Sequence, residues 1–204
     1  MQGYDRHVAT PVETLDSIRP YSWRRAAIKE LALFLARTVP EVAERAAMPA
    51  HLTGSAFVVD PAGGRVLLLW HPKFERWLQP GGHCDGDPDV AGVALREVVE
   101  ETGLTSLVLD PVPFDVDVHP GEPAAGPHVH IDVRFVALAP AGSSEHELSS
   151  PESLELRWFG VDEIGNDYIA EAVRGALRHA EEMGDRGFEP RTSALSERRS
   201  NRLS

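Results

Sequence analysis

The stretch Arg96-Glu-Val-Val-Glu-Glu-Thr-Gly-Leu104 constrains this chain more than any other. At about 100° per residue, Glu97, Glu100 and Glu101 share one arc of a helix, while Ala94, Leu95, Val98 and Val99 fill a different sector. The apolar sector demands a second layer to pack on. The acidic sector is unfavourable by itself. Glu97 and Glu101 form a like-charge pair one turn apart, costing about 0.2–0.5 kcal/mol, and Glu100 and Glu101 lie at the negative end of the helix dipole, costing about 0.3–1 kcal/mol each. A solvated acidic face is the ordinary explanation of such a helix. A hard divalent cation is the alternative, since Mg²⁺ takes oxygen ligands shared among carboxylates, waters and substrate phosphates. The helix is expected from Pro88 to about Thr102, with Asp87 as N-cap, Pro88 in the first helical position and Gly103 as the stop.

Strand-like segments surround this helix. Ala56–Val59 and Arg65–Trp70 flank the turn Asp60-Pro-Ala-Gly-Gly and predict a hairpin. Further strands are expected near Phe114–His119, His128–Ala137 and Leu154–Phe159, and a closing helix over Val161–Met183. From Glu13 to Met48 the spacing of Ile28, Leu31, Leu35 and Val39 predicts one long helix and then a short one, broken near Pro40. This apolar stripe suits packing or homodimerisation. The order of elements implies a mixed α/β sandwich with an N-terminal helical extension over residues 1–50, a main domain over 51–183 and a disordered tail over 184–204.

Gly82 lies fourteen residues before Arg96, and the whole reads Gly82-(thirteen residues)-Arg96-Glu97-Val98-x-Glu100-Glu101-x-Gly103-Leu104. This resembles the Nudix box, whose pattern is G, five residues, E, seven residues, R-E-U-x-E-E-x-G-U, with U aliphatic. Eight specified positions match over twenty-three residues; the first Glu is replaced by Pro88. The resemblance covers about Leu52 to Met183 and implies a Nudix-type α/β/α sandwich with a mixed sheet. It implies that Glu97, Glu100 and Glu101 bind Mg²⁺ or Mn²⁺ with a backbone carbonyl at Gly81-Gly82, and that Arg96 holds the carboxylates in register. The implied catalytic set is Arg96, Glu97 and Glu100, and the implied reaction is attack of water on a diphosphate linkage. The substrate would be a nucleoside diphosphate derivative or a related phosphorylated small molecule. Asp87 or Asp89 is expected to stand in for the missing Glu, and Glu152 or Glu155 to supply the extra glutamate that some members carry late in the fold. A Nudix-fold binding module without turnover is the alternative.

Period-2 alternation places His128, His130 and Asp132 on one strand face, and Asp115, Asp117 and His119 on the same face of the preceding strand if the two pair antiparallel. With His83 they are expected to bind substrate, a solvated sheet face being the plainer reading. A separate Zn²⁺ site is not expected, because the spacing matches no closed zinc motif. Trp77 is expected in the core or as a loop anchor, and Cys84 as an unreactive loop residue. Acidic residues outnumber basic ones 32 to 20, a net charge of −12, which disfavours nonspecific nucleic-acid binding; a phosphorylated substrate is still admissible if a metal supplies positive charge. No apolar run is long enough to span a membrane and the first 25 residues have no apolar signal core, so a cytoplasmic protein is expected.

Overall fold

The computed structural model describes residues 8–185 except 63, 122–124, 153, 165 and 166. Its centre is β1 (Ala50–Asp60), buried along its whole length. The hairpin partner β2 (Arg65–His71) pairs antiparallel with the end of β1, through Val58↔Leu67 and Val59↔Val66. On the other side β7 (Val129–Leu138) runs parallel to β1 from Ala50↔Val129 to Val59↔Leu138. The remaining strands are β3 (Arg76–Leu78), β4 (Gly81–His83), β5 (Val108–Leu109), β6 (Asp115–Pro120) and β8 (Leu156–Phe159). They complete an eight-stranded mixed sheet in which β4 pairs β1, β6 pairs β7 and β8 pairs β2.

β1 is longer than the expected Ala56–Val59. Its first half, His-Leu-Thr-Gly-Ser, looks irregular as sequence, yet it has a backbone partner on each side, in β4 and in β7. Alternation then separates two faces. Leu52, Ala56 and Val58 join Ile131, Val133 and Phe135 in a cluster with Val90, Val93, Ala94 and Val98 of α3 (Val90–Thr102). Gly54 makes this close, because a Cβ there would lie 2.8 Å from the Val90 carbonyl oxygen. On the opposite face Phe57, Val59 and Val136 pack on Ile169, Val173 and Ala176 of α4 (Asp167–Asp185). Trp77 is anchored there, its ring edge-on to Phe159. Helices thus cover both faces of a mixed sheet, the α/β/α sandwich that was expected.

Three boundaries differ from expectation. The N-cap of α3 is Asp89, whose carboxylate accepts from the Gly92 N–H at 3.1 Å; Asp87 instead accepts from the Asp89 N–H, leaving Pro88 outside the helix. In the N-terminal region the short helix comes first. α1 (Pro11–Asp16) starts at a capping box of Thr10 and Glu13, and α2 (Trp23–Thr38) is capped by Ser22 and stops before Pro40. Residues 40–47 form turns and carry no helix. The closing helix is delayed to Asp167, after a 3₁₀ turn at Val161–Glu163, and it includes Gly184 and Asp185. The expected disordered tail otherwise lies outside the described residues. Of the apolar stripe on α2, Val39 is buried and Ile28 and Leu35 pack against the α3 cluster, whereas Leu31 is exposed, as are Trp23 and Phe34.

Candidate active site

The box residues meet at the short edge strand β4. Glu97, on the first turn-and-a-half from the C-terminal end of α3, lies over Gly82, where any Cβ would collide with its carboxylate. Glu101 reaches the backbone of the same strand and accepts from the Gly81 N–H at 3.0 Å. Glu100 is exposed on the adjoining turn. Burial raises the pKa of Glu97 against the opposing pull of Arg96, and it raises Glu101 to about 7 although the Gly81 hydrogen bond works the other way. The charge of Glu100 adds to the rise at both Glu97 and Glu101, and that of Glu97 to the rise at Glu101. Arg96 compensates only part of the charge of these crowded, half-buried carboxylates. The set therefore fits a hard divalent cation.

Arg96 spans Asp87 and Glu97, at 3.6 and 3.7 Å. Asp87 is thus a carboxylate partner of Arg96, and Asp89 caps α3. Of the two later glutamates, Glu152 is the one whose charge is felt at the box. Its charge acts on both Glu97 and Glu101, and its N–H donates to Ser150 Oγ, which in turn donates to the Glu101 carbonyl. Cys84 is buried and its thiol is pushed up to about 12, first by burial and then by neighbouring carboxylates, so it is no nucleophile.

The two strands pair antiparallel, with Asp117↔Asp132 and His119↔His130, so the expected polar face forms, but it is not a wet surface. Two arginines that sequence reasoning missed lie within it. Arg134 donates to Asp132 at 3.0 Å, to Asp117 at 3.1 Å and to Asp115 at 3.4 Å. Arg25, brought in by α2, donates through Nε to Asp115 at 2.7 Å and through a second nitrogen to the same carboxylate. All five of these charged groups are buried. Arg134 was legible in the sequence, since it follows Asp132 by two residues on the same strand face, whereas Arg25 carries no local signal. Asp132 also accepts from Thr53, Ser55 and Gln79, which ties it to β1 and to the loop before β4.

His130 sits at the centre of the imidazoles, its ring centroid 4.7 Å from His51, 5.0 Å from His83, 5.2 Å from His128 and 5.3 Å from His119. Burial first, and then these neighbours, depress His130 to about 3, so it is neutral; burial also lowers His51. Beside this cluster a cavity of about 410 Å³ opens over the same face, lined by Arg24, Arg76, Gln79, His119, Phe74 and Ile28 among others. Gln79 in its wall precedes Gly81 by two residues, and none of the box residues lines the cavity.

A family model described as NUDIX domain matches residues 50–180. No curated protein matches the sequence. Among solved structures, the chain is similar to an Ap4A hydrolase of C. elegans in a binary complex, with 15% identity over 64% of this chain and 98% of that one and a TM-score of 0.52, a likeness of fold. It is also similar to the E. coli dihydroneopterin triphosphate pyrophosphohydrolase, with 14% identity over 63% and 95% of the two chains and a TM-score of 0.49. A hydrolase of the NUDIX family from Clostridium perfringens shows 22% identity over 64% and 97%, with a TM-score of 0.47. No described helix is long and apolar enough to cross a membrane.

Proposed function

The chain belongs to the Nudix family, and from that premise we propose that it is a Mg²⁺- or Mn²⁺-dependent pyrophosphohydrolase acting on a nucleoside diphosphate derivative or related phosphorylated small molecule. The observation that carries this reading is the convergence of Glu97 and Glu101 on Gly81-Gly82 with raised pKa values, a cluster that needs a cation. Glu97, Glu100 and Glu101, with the Gly81 carbonyl, would hold it. When bound, the cation neutralises charge developing on the phosphate oxygens and makes water a better nucleophile at neutral pH. Arg96 keeps the carboxylates in place by its ion pairs with Asp87 and Glu97. Glu152, exposed and facing the same cluster, accepts the proton of the attacking water. The water oxygen bonds to phosphorus as the bridging P–O bond breaks, and the bridging oxygen leaves with the second product.

The rest of the substrate is assigned to the cavity over the sheet. Its volume suits a nucleotide-sized ligand, Arg24 and Arg76 supply charge for phosphate, and Phe74 and Ile28 supply apolar wall. Because Asp87 pairs with Arg96, the replacement of the first box Glu by Pro88 lends no weight to a module without turnover. The test is hydrolysis of a panel of nucleoside diphosphate sugars, dinucleoside polyphosphates and nucleoside triphosphates with Mg²⁺ or Mn²⁺. Glu97→Gln and Glu152→Gln are expected to lower kcat at least about a hundredfold, the scale of losing one electrostatic or proton-transfer group. Binding of a panel member without turnover under either metal would overturn the enzymatic reading.

A further inference from the structure

We propose that His51, His83 and His130 form a second metal site, separate from the box carboxylates and selective for a late first-row dication of the Zn²⁺ class. Their ligand atoms all lie within 4.8 Å of one another, and among the described residues this is the trio of His, Cys, Asp or Glu side chains that meets that spacing. Three strands bring them together: β1 carries His51, β4 carries His83, and β7 carries His130 in parallel register with His51. Alternation along β4 points His83 to the opposite face from Gly82, so the imidazoles and the Glu97 carboxylate lie on opposite sides of this strand.

The hydrogen bonds prepare nitrogen lone pairs for a cation. His51 Nδ1 lies 3.3 Å from the Ala47 carbonyl, which can only accept, so the proton sits on Nδ1 and Nε2 carries the lone pair. That Nε2 is buried and has no hydrogen-bond partner, and His51 as a whole is 3% exposed. An orphaned buried acceptor costs about 1–3 kcal/mol, which a metal bond would offset. His128 is fixed in the same tautomer by the Gly126 carbonyl at 2.8 Å, and His119 by the Pro120 carbonyl at 3.2 Å. A ring N–H given to a backbone carbonyl is the usual support of a metal-binding histidine.

Spacing favours a tetrahedral ion. Two nitrogens each about 2.0–2.1 Å from one tetrahedral zinc stand about 3.3 Å apart. His128 Nε2 and His130 Nε2 are 3.3 Å apart and share a hydrogen bond, donated by His130 because the His128 proton sits on Nδ1, so binding through His130 Nε2 requires that proton to leave or to move to Nδ1. The ligand atoms of the trio lie within 4.8 Å of one another, so closing to this value takes movements of up to about 1.5 Å. Imidazole ligands without a carboxylate oxygen disfavour Mg²⁺ and suit Zn²⁺, Ni²⁺ or Cu²⁺.

The test uses the untagged full chain, stripped with a chelator and titrated calorimetrically with Zn²⁺ in the presence of millimolar Mg²⁺. One Zn²⁺ per chain is expected to bind. His83→Ala, at a half-exposed position that folding tolerates, and His51→Gln are each expected to weaken it about a hundredfold or more, while the double variant Glu97→Gln with Glu101→Gln leaves it unchanged. Co²⁺ in place of Zn²⁺ should give the visible absorption of a tetrahedral nitrogen site, lost in the same histidine variants. Absence of Zn²⁺ binding to the wild-type chain, or binding that follows the glutamates and ignores the histidines, overturns the proposal whatever the hydrolysis assays show.

Discussion

Glu101 is a carboxylate whose surroundings oppose its charge. Burial is the main cause, and the Gly81 N–H only partly offsets it. In the folded protein without metal it titrates at about 7, against 4.5 for an unperturbed glutamate. Between those values the native chain holds a proton that the unfolded chain has released, so stability is full at the acid end and is lost as pH rises through that window. Glu101→Gln should therefore stabilise the chelated protein at about pH 8 by on the order of 1 kcal/mol and flatten its pH dependence. Thermal unfolding at about pH 5 and pH 8 checks this, and equal midpoints for variant and wild type at the higher pH would refute it. These carboxylates were legible as a cluster in the sequence, because helical periodicity alone groups them. Which later glutamate faces them was not, since Glu152 approaches through a loop hung on Ser150.

At the scale of elements, β4 and α3 act as one unit. Gly82 has no side chain because Glu97 occupies that space, and the blocking atoms belong to the end of a movable side chain. Gly82→Ala should hence shift the Glu97 carboxylate rather than unfold the sheet. We expect a loss of about tenfold or more in Mg²⁺ affinity, with the unfolding midpoint changed by less than about 3 °C. Metal titration and calorimetry on the same variant separate the two effects. Unchanged affinity would mean that Glu97 does not need its present position. The Arg96 support predicts a companion result, in which Asp87→Asn lowers kcat while Asp89→Ala mainly costs the cap, about 1 kcal/mol of stability. Kinetics and urea unfolding of the pair test that division, and reversed effects would return Asp89 to the role of Arg96 partner.

For the whole molecule, the N-terminal helices are integral to packing. Leu15, Ile18, Ala32 and Leu33 are buried in the cluster that joins α3 to the sheet, and Arg25 supplies a cation to the buried carboxylates of β6. Burial, then the proximity of Arg134, lowers the Arg25 pKa from its ordinary value, yet removing the cation would leave Asp115 short of a partner in a dry site. Arg25→Met is expected to cost about 3–5 kcal/mol, the scale of breaking a buried ion pair. Urea unfolding measures it, and a loss below about 1 kcal/mol would mean that Arg134 alone suffices.

By itself the sequence determined the helix α3, its acidic face, the polar faces of β6 and β7, and the family, because each is written in short-range spacing: turns of 3.6 residues, alternation of two, and the box pattern. Tertiary structure decided what could not be read from spacing. The first half of β1 became a central strand because two distant partners supply its hydrogen bonds. His51, which no local pattern singles out, joined His83 and His130 through the same pairings. The polar strand face became buried because Arg25, ninety residues before Asp115, crosses to neutralise it. A charge pattern reports which groups need compensation; only the folded chain reveals which residues provide it.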